Sequence, residues 1–429
     1  VRIVTLGCAK NDVDSEEIAG VLKAAGYAVG VDGPPDLTVV NTCGFLEASK
    51  QESIHAIRKA VAEKGEGRVV VAGCLSQRLG AELQRLAPGA DAYVGVGQMA
   101  RFDQIVEGLG RAPTIDVSPP HHRWANVGSR ARTGRPWSAY LKVSEGCDHR
   151  CAFCTIPSFR GGHQSKPLER VLDEARALVS TGAKELNLIA QDVTQYGFDL
   201  YKQFTLPKLL SKLNEVEGAE WVRLLYFYPS RLTDEVIDAM AGLDKVLKYI
   251  DIPLQHVHPD TLRRMKRPWD GERYLRLFER VRAAMPDVAI RTTFIVGFPG
   301  ESESEFGALL DFVRDAKLDR VGAFTYSRER GTPAYDMPGQ VPFRVKRERF
   351  DRLMRLQRSV SAQRNKSFVG QRLDVLFEEN TSDGSRGRSY RDAPEIDGTV
   401  SVSESASPGS IRPVLITGSS EHDLFGRLL

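Results

Sequence analysis

The chain has 429 residues, 41% of them hydrophobic and 27% charged, which is enough length for about three domains and too apolar for intrinsic disorder. Its 59 basic and 56 acidic residues leave a net charge of +3, too even to mark a nucleic-acid binder. No run approaches the roughly 18 apolar residues of a membrane helix, and the first residues lack a basic region and a cleavage site, so a cytoplasmic protein is expected.

Residues 1–112 alternate strand and helix patterns. Ile3–Gly7, Leu37–Thr42, Val69–Gly73 and Ala92–Val96 are short apolar runs of the kind buried in a parallel sheet. Between the first two lies Ser15–Ala25, with Ile18, Val21 and Leu22 at helical spacing. The pattern predicts a doubly wound α/β domain. Gly95-Val96-Gly97 lacks the third glycine of a dinucleotide fingerprint. Each of the first three strands runs directly into a cysteine: Cys8, Cys43 and Cys74. Ligands of open parallel sheets bind beyond the carboxyl ends of strands. Two readings are therefore open: three thiols converging on one ligand, or three buried structural cysteines. Residues 113–135 read as a linker, in which the pair His121-His122 is better explained as solvated than as a metal site.

From 136 to 366 the alternation continues in longer units. Six strands are predicted, Ala139–Val143, Glu185–Ala190, Val222–Phe227, Tyr249–Ile252, Ile290–Val296 and Val321–Thr325, which suggests a partial (β/α)6 barrel. A helix over Leu168–Val179 puts Leu168, Val171, Leu172, Ala175, Leu178 and Val179 on one face. The unit closes with a connecting helix, 343–366, that carries nine Lys/Arg against Glu348 and Asp351. Residues 367–429 lose helical periodicity; Arg372–Phe377, Gly398–Val402 and Val414–Thr417 predict a small β-barrel.

All six cysteines lie in the first 154 residues, a distribution unlike a disulfide framework. Cys147, Cys151 and Cys154 have the spacing C-x3-C-x2-C just after the first barrel strand, at the end where barrel active sites are built. Three thiolates on a [4Fe–4S] cluster leave one iron open to a further ligand. The competing reading is zinc, with His149 or His163 as the fourth ligand. The barrel context favours iron–sulfur. No Gly-Lys dipeptide, His-Glu-x-x-His helix or Gly-x-Ser-x-Gly elbow occurs, which removes the common phosphate-loop, zinc-protease and hydrolase chemistries.

The cysteine motif, with Phe153 before its last thiol, resembles that of radical S-adenosylmethionine (SAM) enzymes. The resemblance implies that the open iron binds SAM, whose reductive cleavage gives a 5′-deoxyadenosyl radical. The three-domain order, ending in a TRAM-type β-barrel, is similar to that of the methylthiotransferases. That family implies a second, sulfur-carrying [4Fe–4S] cluster on Cys8, Cys43 and Cys74, and SAM in two roles, methyl donor and radical source. Phe153, Gln191 and Asp192 are candidate SAM contacts; for Gln191 and Asp192 a plain strand-end cap is the alternative. Gly297-Phe298-Pro299-Gly300-Glu301 is either a further approach to SAM or a simple turn.

Three segments resemble the members of this family that modify a ribosomal protein rather than tRNA. They are Leu6–Asn11 with Val13–Glu16, Gln191–Gly197 and Asp392–Gly398. The reaction implied adds a methylthio group to the β-carbon of an aspartate in protein twelve of the small subunit. An electron donor and a sulfur source are implied as further partners, with RNA contact open. The alternatives are a tRNA adenosine methylthiotransferase, supported by the basic 343–366 segment, and a non-catalytic RNA-binding metal protein. In residues 367–429 six arginines face ten acids, a surplus of four negative charges. Such a module is expected to dock a basic protein substrate, with Asp392, Glu395 and Asp397 among the contacts, or else to be merely a solvated surface.

Overall fold

Strands buried on both faces must be hydrophobic at nearly every position, and the N-terminal runs meet that demand. In the computed structural model, which describes residues 1–30, 33–120, 124 and 130–429, they form one parallel sheet. Its strands are β1 (Arg2–Thr5), β2 (Leu37–Thr42), β3 (Arg68–Gly73), β4 (Ala92–Val94) and β5 (Thr114–Asp116). They are neighbours in chain order, without the reversal of a nucleotide-binding sheet. Helices nonetheless cover both faces: Ile18 and Leu22 of α1 (Ala9–Ala24) pack on one, Ile54, Ile57 and Ala60 of α2 (Glu47–Glu63) on the other.

β5 lies inside the segment read from the sequence as linker. It is three residues long and mostly exposed, too short for any periodicity to mark it. The paired histidines of that segment lie outside the described residues.

The second unit holds six parallel strands: β6 (Ser138–Lys142), β7 (Glu185–Ile189), β8 (Trp221–Leu224), β9 (Tyr249–Asp251), β10 (Ala289–Val296) and β11 (Arg320–Thr325). The order β8-β7-β6 and the order β9-β10-β11 are joined by a parallel bridge between Val222 and Val246, giving an open arc. Between β6 and β7 come the short α3 (Ile156–Arg160) and then α4 (Leu168–Ser180), which buries Val171, Leu172, Ala175 and Leu178 against the largest core of the molecule.

The basic helix, α5 (Phe343–Lys366), buries few apolar groups and is held by polar ones. Arg349 donates to Glu301 at 3.0 Å, Gln357 to the Leu318 carbonyl at 3.1 Å, and Asn365 to the Ser420 carbonyl at 3.2 Å. Several of its cations are therefore structural, Arg352 and Arg364 also pairing with Glu303 and Asp319.

Beyond it, β12 (Arg372–Thr381), β13 (Gly384–Ser389), β14 (Val400–Val402), β15 (Ile411–Ser419) and β16 (Leu424–Leu428) close into a barrel in the order β12-β13-β14-β16-β15. β13, Gly-Ser-Arg-Gly-Arg-Ser, has no apolar alternation and was invisible to pattern reading. Its Arg388 is buried because it clamps Glu185 of β7 at 2.6 Å, and Arg223 of β8 holds the same carboxylate at 2.9 Å. Burial alone raises the Glu185 pKa, but the two guanidinium groups prevail and hold it down at about 2.

The same interface corrects the expected docking role of two acids. Asp392 is 1% exposed and accepts from Arg320 at 2.6 Å; Asp397 accepts from the Tyr249 hydroxyl at 2.6 Å and faces Arg291. Both tie the terminal barrel to the central arc, because an arginine on the neighbouring unit waits for each. Glu395 alone of the three is exposed.

Candidate functional site

The loop after β6 begins with Gly146 at φ +72, where a Cβ would sit 2.0 Å from the Gly162 carbonyl oxygen. That close approach folds the cysteine segment back on the chain that follows it, and Cys147 N donates to the Gly161 carbonyl at 3.0 Å. A second anchor comes from across the arc, where Ala152 N donates to the Met265 carbonyl at 2.9 Å. Cys147, Cys151 and Cys154 thereby line one cavity of about 140 Å³, together with Phe153, Gln191, Tyr226 and Arg267. Arg267 Nη1 lies 3.8 Å from Cys151 Sγ and its guanidinium stacks on Tyr228.

The other three cysteines are gathered by the sheet. The register pairs Thr5 with Asn41 and Thr42 with Gly73, so β1, β2 and β3 end side by side. Gly7, at φ +109, is packed so closely that a Cβ there would lie 2.8 Å from Cys43 Cβ and 3.1 Å from its sulfur. A Cβ on Gly44 would lie 3.2 Å from the Cys74 carbonyl carbon. The strand ends that lead into Cys8, Cys43 and Cys74 thus lie side by side, with Cys43 and Cys74 buried and Cys8 exposed.

Burial pushes the Cys147, Cys154 and Cys74 thiols up to about 12, and raises Cys43 as well. Neither triad brings its three sulfurs all within 4.8 Å of one another. Thiolates around a single zinc stand about 3.8 Å apart, given Zn–S bonds of about 2.3 Å in a tetrahedron. Of the histidines put forward for zinc, His149 lines the cavity and contacts Asp192 through Nε2 at 2.8 Å, and His163 Nε2 contacts Ser165 Oγ at 3.0 Å, so each contact occupies one ring nitrogen.

α3 links the two triads. It starts two residues after Cys154, and Arg160 at its end donates through Nε to Cys74 Sγ at 3.2 Å. The same guanidinium donates to Asn11 at 2.9 Å, Asp14 at 2.8 Å and Glu145 at 2.9 Å. Glu145 also accepts from Gln191 at 3.1 Å, so a buried polar chain runs from the cavity wall to Cys74.

Residues 141–313 match the radical SAM superfamily, 1–95 the uncharacterized protein family UPF0004, and 369–429 the TRAM domain. Over 433 residues the chain is 42% identical to the ribosomal protein uS12 methylthiotransferase RimO of Carboxydothermus hydrogenoformans, covering 100% of this chain and 99% of the relative. A protein of the same name from Synechocystis is 45% identical over 99% of this chain and 97% of its own. The chain belongs to the RimO methylthiotransferase family. Among solved structures, the radical SAM methyltransferase TsrM of Kitasatospora setae aligns with a TM-score of 0.58 at 16% identity, covering 90% of this chain and 81% of that one, a likeness of fold.

Among the candidate SAM contacts of this RimO family member, Phe153 and Gln191 line the cavity. Asp192 does not: it is 1% exposed, caps the following turn by accepting from Thr194 N at 2.9 Å, and holds His149. The capping alternative describes it. The Gly297–Glu301 segment is likewise a turn, with Glu301 accepting from Gly297 N at 2.6 Å and Phe298 N at 3.1 Å. Sequence reasoning missed Arg160 and Arg267, and gave Lys10 and Asn11 no role beyond their place in the Leu6–Asn11 segment, since a single cation or amide carries no spacing rule. The one signal for Arg160 was its place just beyond the cysteine motif. No helix among the described residues is long and apolar enough to cross a membrane.

Proposed function

We propose that this protein transfers a methylthio group to the β-carbon of an aspartate in ribosomal protein uS12, with Cys147, Cys151 and Cys154 holding one [4Fe–4S] cluster and Cys8, Cys43 and Cys74 a second. The observation that carries the reading is the pair of thiol triads in one connected site, in a chain that matches relatives named for this activity from end to end. When bound, the clusters and SAM supply what side chains cannot: a radical able to take hydrogen from an unactivated C–H bond, and the sulfur and methyl that replace it. The chain's own part is binding, orientation and exclusion of water. Phe153 and Gln191 form the wall on which SAM rests, and Arg267 fixes Cys151 while closing the cavity with Tyr228. Arg160 orients Cys74 across the boundary between the two units. The tRNA alternative loses support from α5, whose arginines are partly committed to Glu301, Glu303 and Asp319.

Enzyme reconstituted anaerobically with iron and sulfide, then given SAM and a reductant, should add a methylthio group to uS12 and leave unmodified tRNA unchanged, as read by mass spectrometry of both. Modification of tRNA with none of uS12 would overturn the substrate.

A further inference from the structure

Three lysines of this chain are buried: Lys10, Lys142 and Lys166. Lys142 donates to Asp14 at 2.6 Å, and Lys166 pairs with Glu174. Lys10 differs. Although only 8% exposed, its ammonium has no acceptor and no carboxylate partner among the described residues; it sits 4.0 Å above the ring of Tyr226. The nearby Glu145 is already taken by Arg160, Lys142 and Gln191. An ammonium that is largely buried, lacks a protein acceptor and still reaches solvent is placed to meet an anion that enters there.

Its position says which anion. Lys10 is two residues beyond Cys8, on the first turn of α1, beside the sulfurs gathered by the sheet. Tyr226, held at φ +68 just past the end of β8, is a wall of the cavity that contains Cys147, Cys151 and Cys154. Lys10 thus stands at the seam between the two triads. In the proposed reaction the attacked carbon must be reachable from both, because one side takes its hydrogen and the other gives it sulfur. The carboxylate of an aspartate is bonded directly to that β-carbon, so a cation that fixes the carboxylate has to lie at this seam.

We propose that Lys10 is the substrate-carboxylate anchor, which receives the side chain of the target aspartate and makes the site selective for aspartate over its amide. The inference rests on the uS12 reading above and deepens it.

The test uses the reconstituted holoenzyme with SAM and no reductant, so that binding is read without turnover. Fluorescence anisotropy would compare a uS12 peptide carrying the target aspartate with the same peptide carrying asparagine. The wild type should prefer the aspartate peptide by about tenfold or more, the discrimination expected of a charge-assisted contact. Lys10→Met should abolish that preference while iron content and SAM affinity stay as in the wild type, and Lys10→Arg should restore part of it. Equal binding of the two peptides by the wild type overturns the inference without any substitution. So does a Lys10→Met enzyme that still discriminates, including one whose iron content or SAM affinity has changed, since Lys10 would then serve a cluster or SAM. A wild type that binds neither peptide and modifies no uS12 overturns the function proposed above as well, whereas one that modifies uS12 but ignores the amide change defeats only the role of Lys10.

Discussion

Cys147, Cys151 and Cys154 lie within eight residues on one loop, whereas Cys8, Cys43 and Cys74 come from three strand ends spread over 67 residues. The first set is brought together by local geometry: a glycine at positive φ, a carbonyl 3.0 Å from Cys147 N, and a short helix. The second set exists only when β1, β2 and β3 are aligned, because the register alone makes their ends coincide. One group of cysteines is thus a property of a segment, the other of a folded domain. The polar chain through Glu145 and Arg160 then joins them, so that the loop-borne triad also helps to place Cys74.

The largest expected effect comes from removing either triad. Replacing Cys147, Cys151 and Cys154 by Ala should abolish reductive SAM cleavage and lower the iron content of reconstituted protein from about eight to about four per chain. Replacing Cys8, Cys43 and Cys74 should lower iron equally but spare SAM cleavage, while ending methylthiolation. Iron analysis and assay of 5′-deoxyadenosine separate the two. If the second variant still thiolates uS12, the division of labour between the triads is wrong.

A gentler break targets the glycines on which each triad depends. Gly7→Ala forces a Cβ at φ +109 to within 2.8 Å of Cys43 Cβ, and should cost the dispersed triad its iron while SAM cleavage continues. Gly146→Ala, with its 2.0 Å approach to the Gly162 carbonyl oxygen, should do the reverse. Gly30→Ala serves as the control: φ is +77 there too, but among the described residues nothing beyond its chain neighbours lies within 4 Å, so only backbone strain of about 1 kcal/mol is expected and both iron complements persist. Equal loss of iron in the Gly7 and Gly146 variants would show that the two triads do not assemble independently.

The same contrast explains what was legible in the sequence. Spacing within one loop is printed in the chain, so the C-x3-C-x2-C group could be read directly, as could the six strands of the arc, whose apolar runs supply much of the largest core. For the strand-end cysteines, position left two readings, because side-by-side alignment is fixed by register rather than by any single strand. Least visible were contacts between units. Asp392 and Asp397 look in sequence like free surface charge, and β13 looks like a polar loop. They are buried because Arg320, Arg291 and Glu185 meet them from the central arc. Charge counts carry no information about such pairing, so two of the three acids expected at a docking face belong to an interface within the chain, while Glu395 stays exposed.

The smallest expected effect bears on the link between the triads. Arg160 donates to Cys74 Sγ at 3.2 Å while Asp14, Asn11 and Glu145 fix its planar head. Arg160→Lys keeps the positive charge that these buried carboxylates require, and so avoids the roughly 3–5 kcal/mol cost of leaving them unpaired. A lysine ammonium is a point donor on a flexible stem and cannot reproduce the fork that reaches sulfur and carboxylates together. Iron content should therefore stay near that of the wild type, with methylthiolation slowed by less than about tenfold. A hydrogen bond to a ligating sulfur favours the reduced cluster, so its loss should move the potential in the negative direction. That shift can be read by electron paramagnetic resonance titration in the Cys147, Cys151 and Cys154 triple-Ala background, where only the strand-end triad can carry iron. A potential that does not move, with slowed methylthiolation, would assign Arg160 to holding the two units together instead of tuning Cys74. A change in both, with SAM cleavage untouched in the otherwise wild-type chain, would place its effect on the sulfur-carrying side of the comparison.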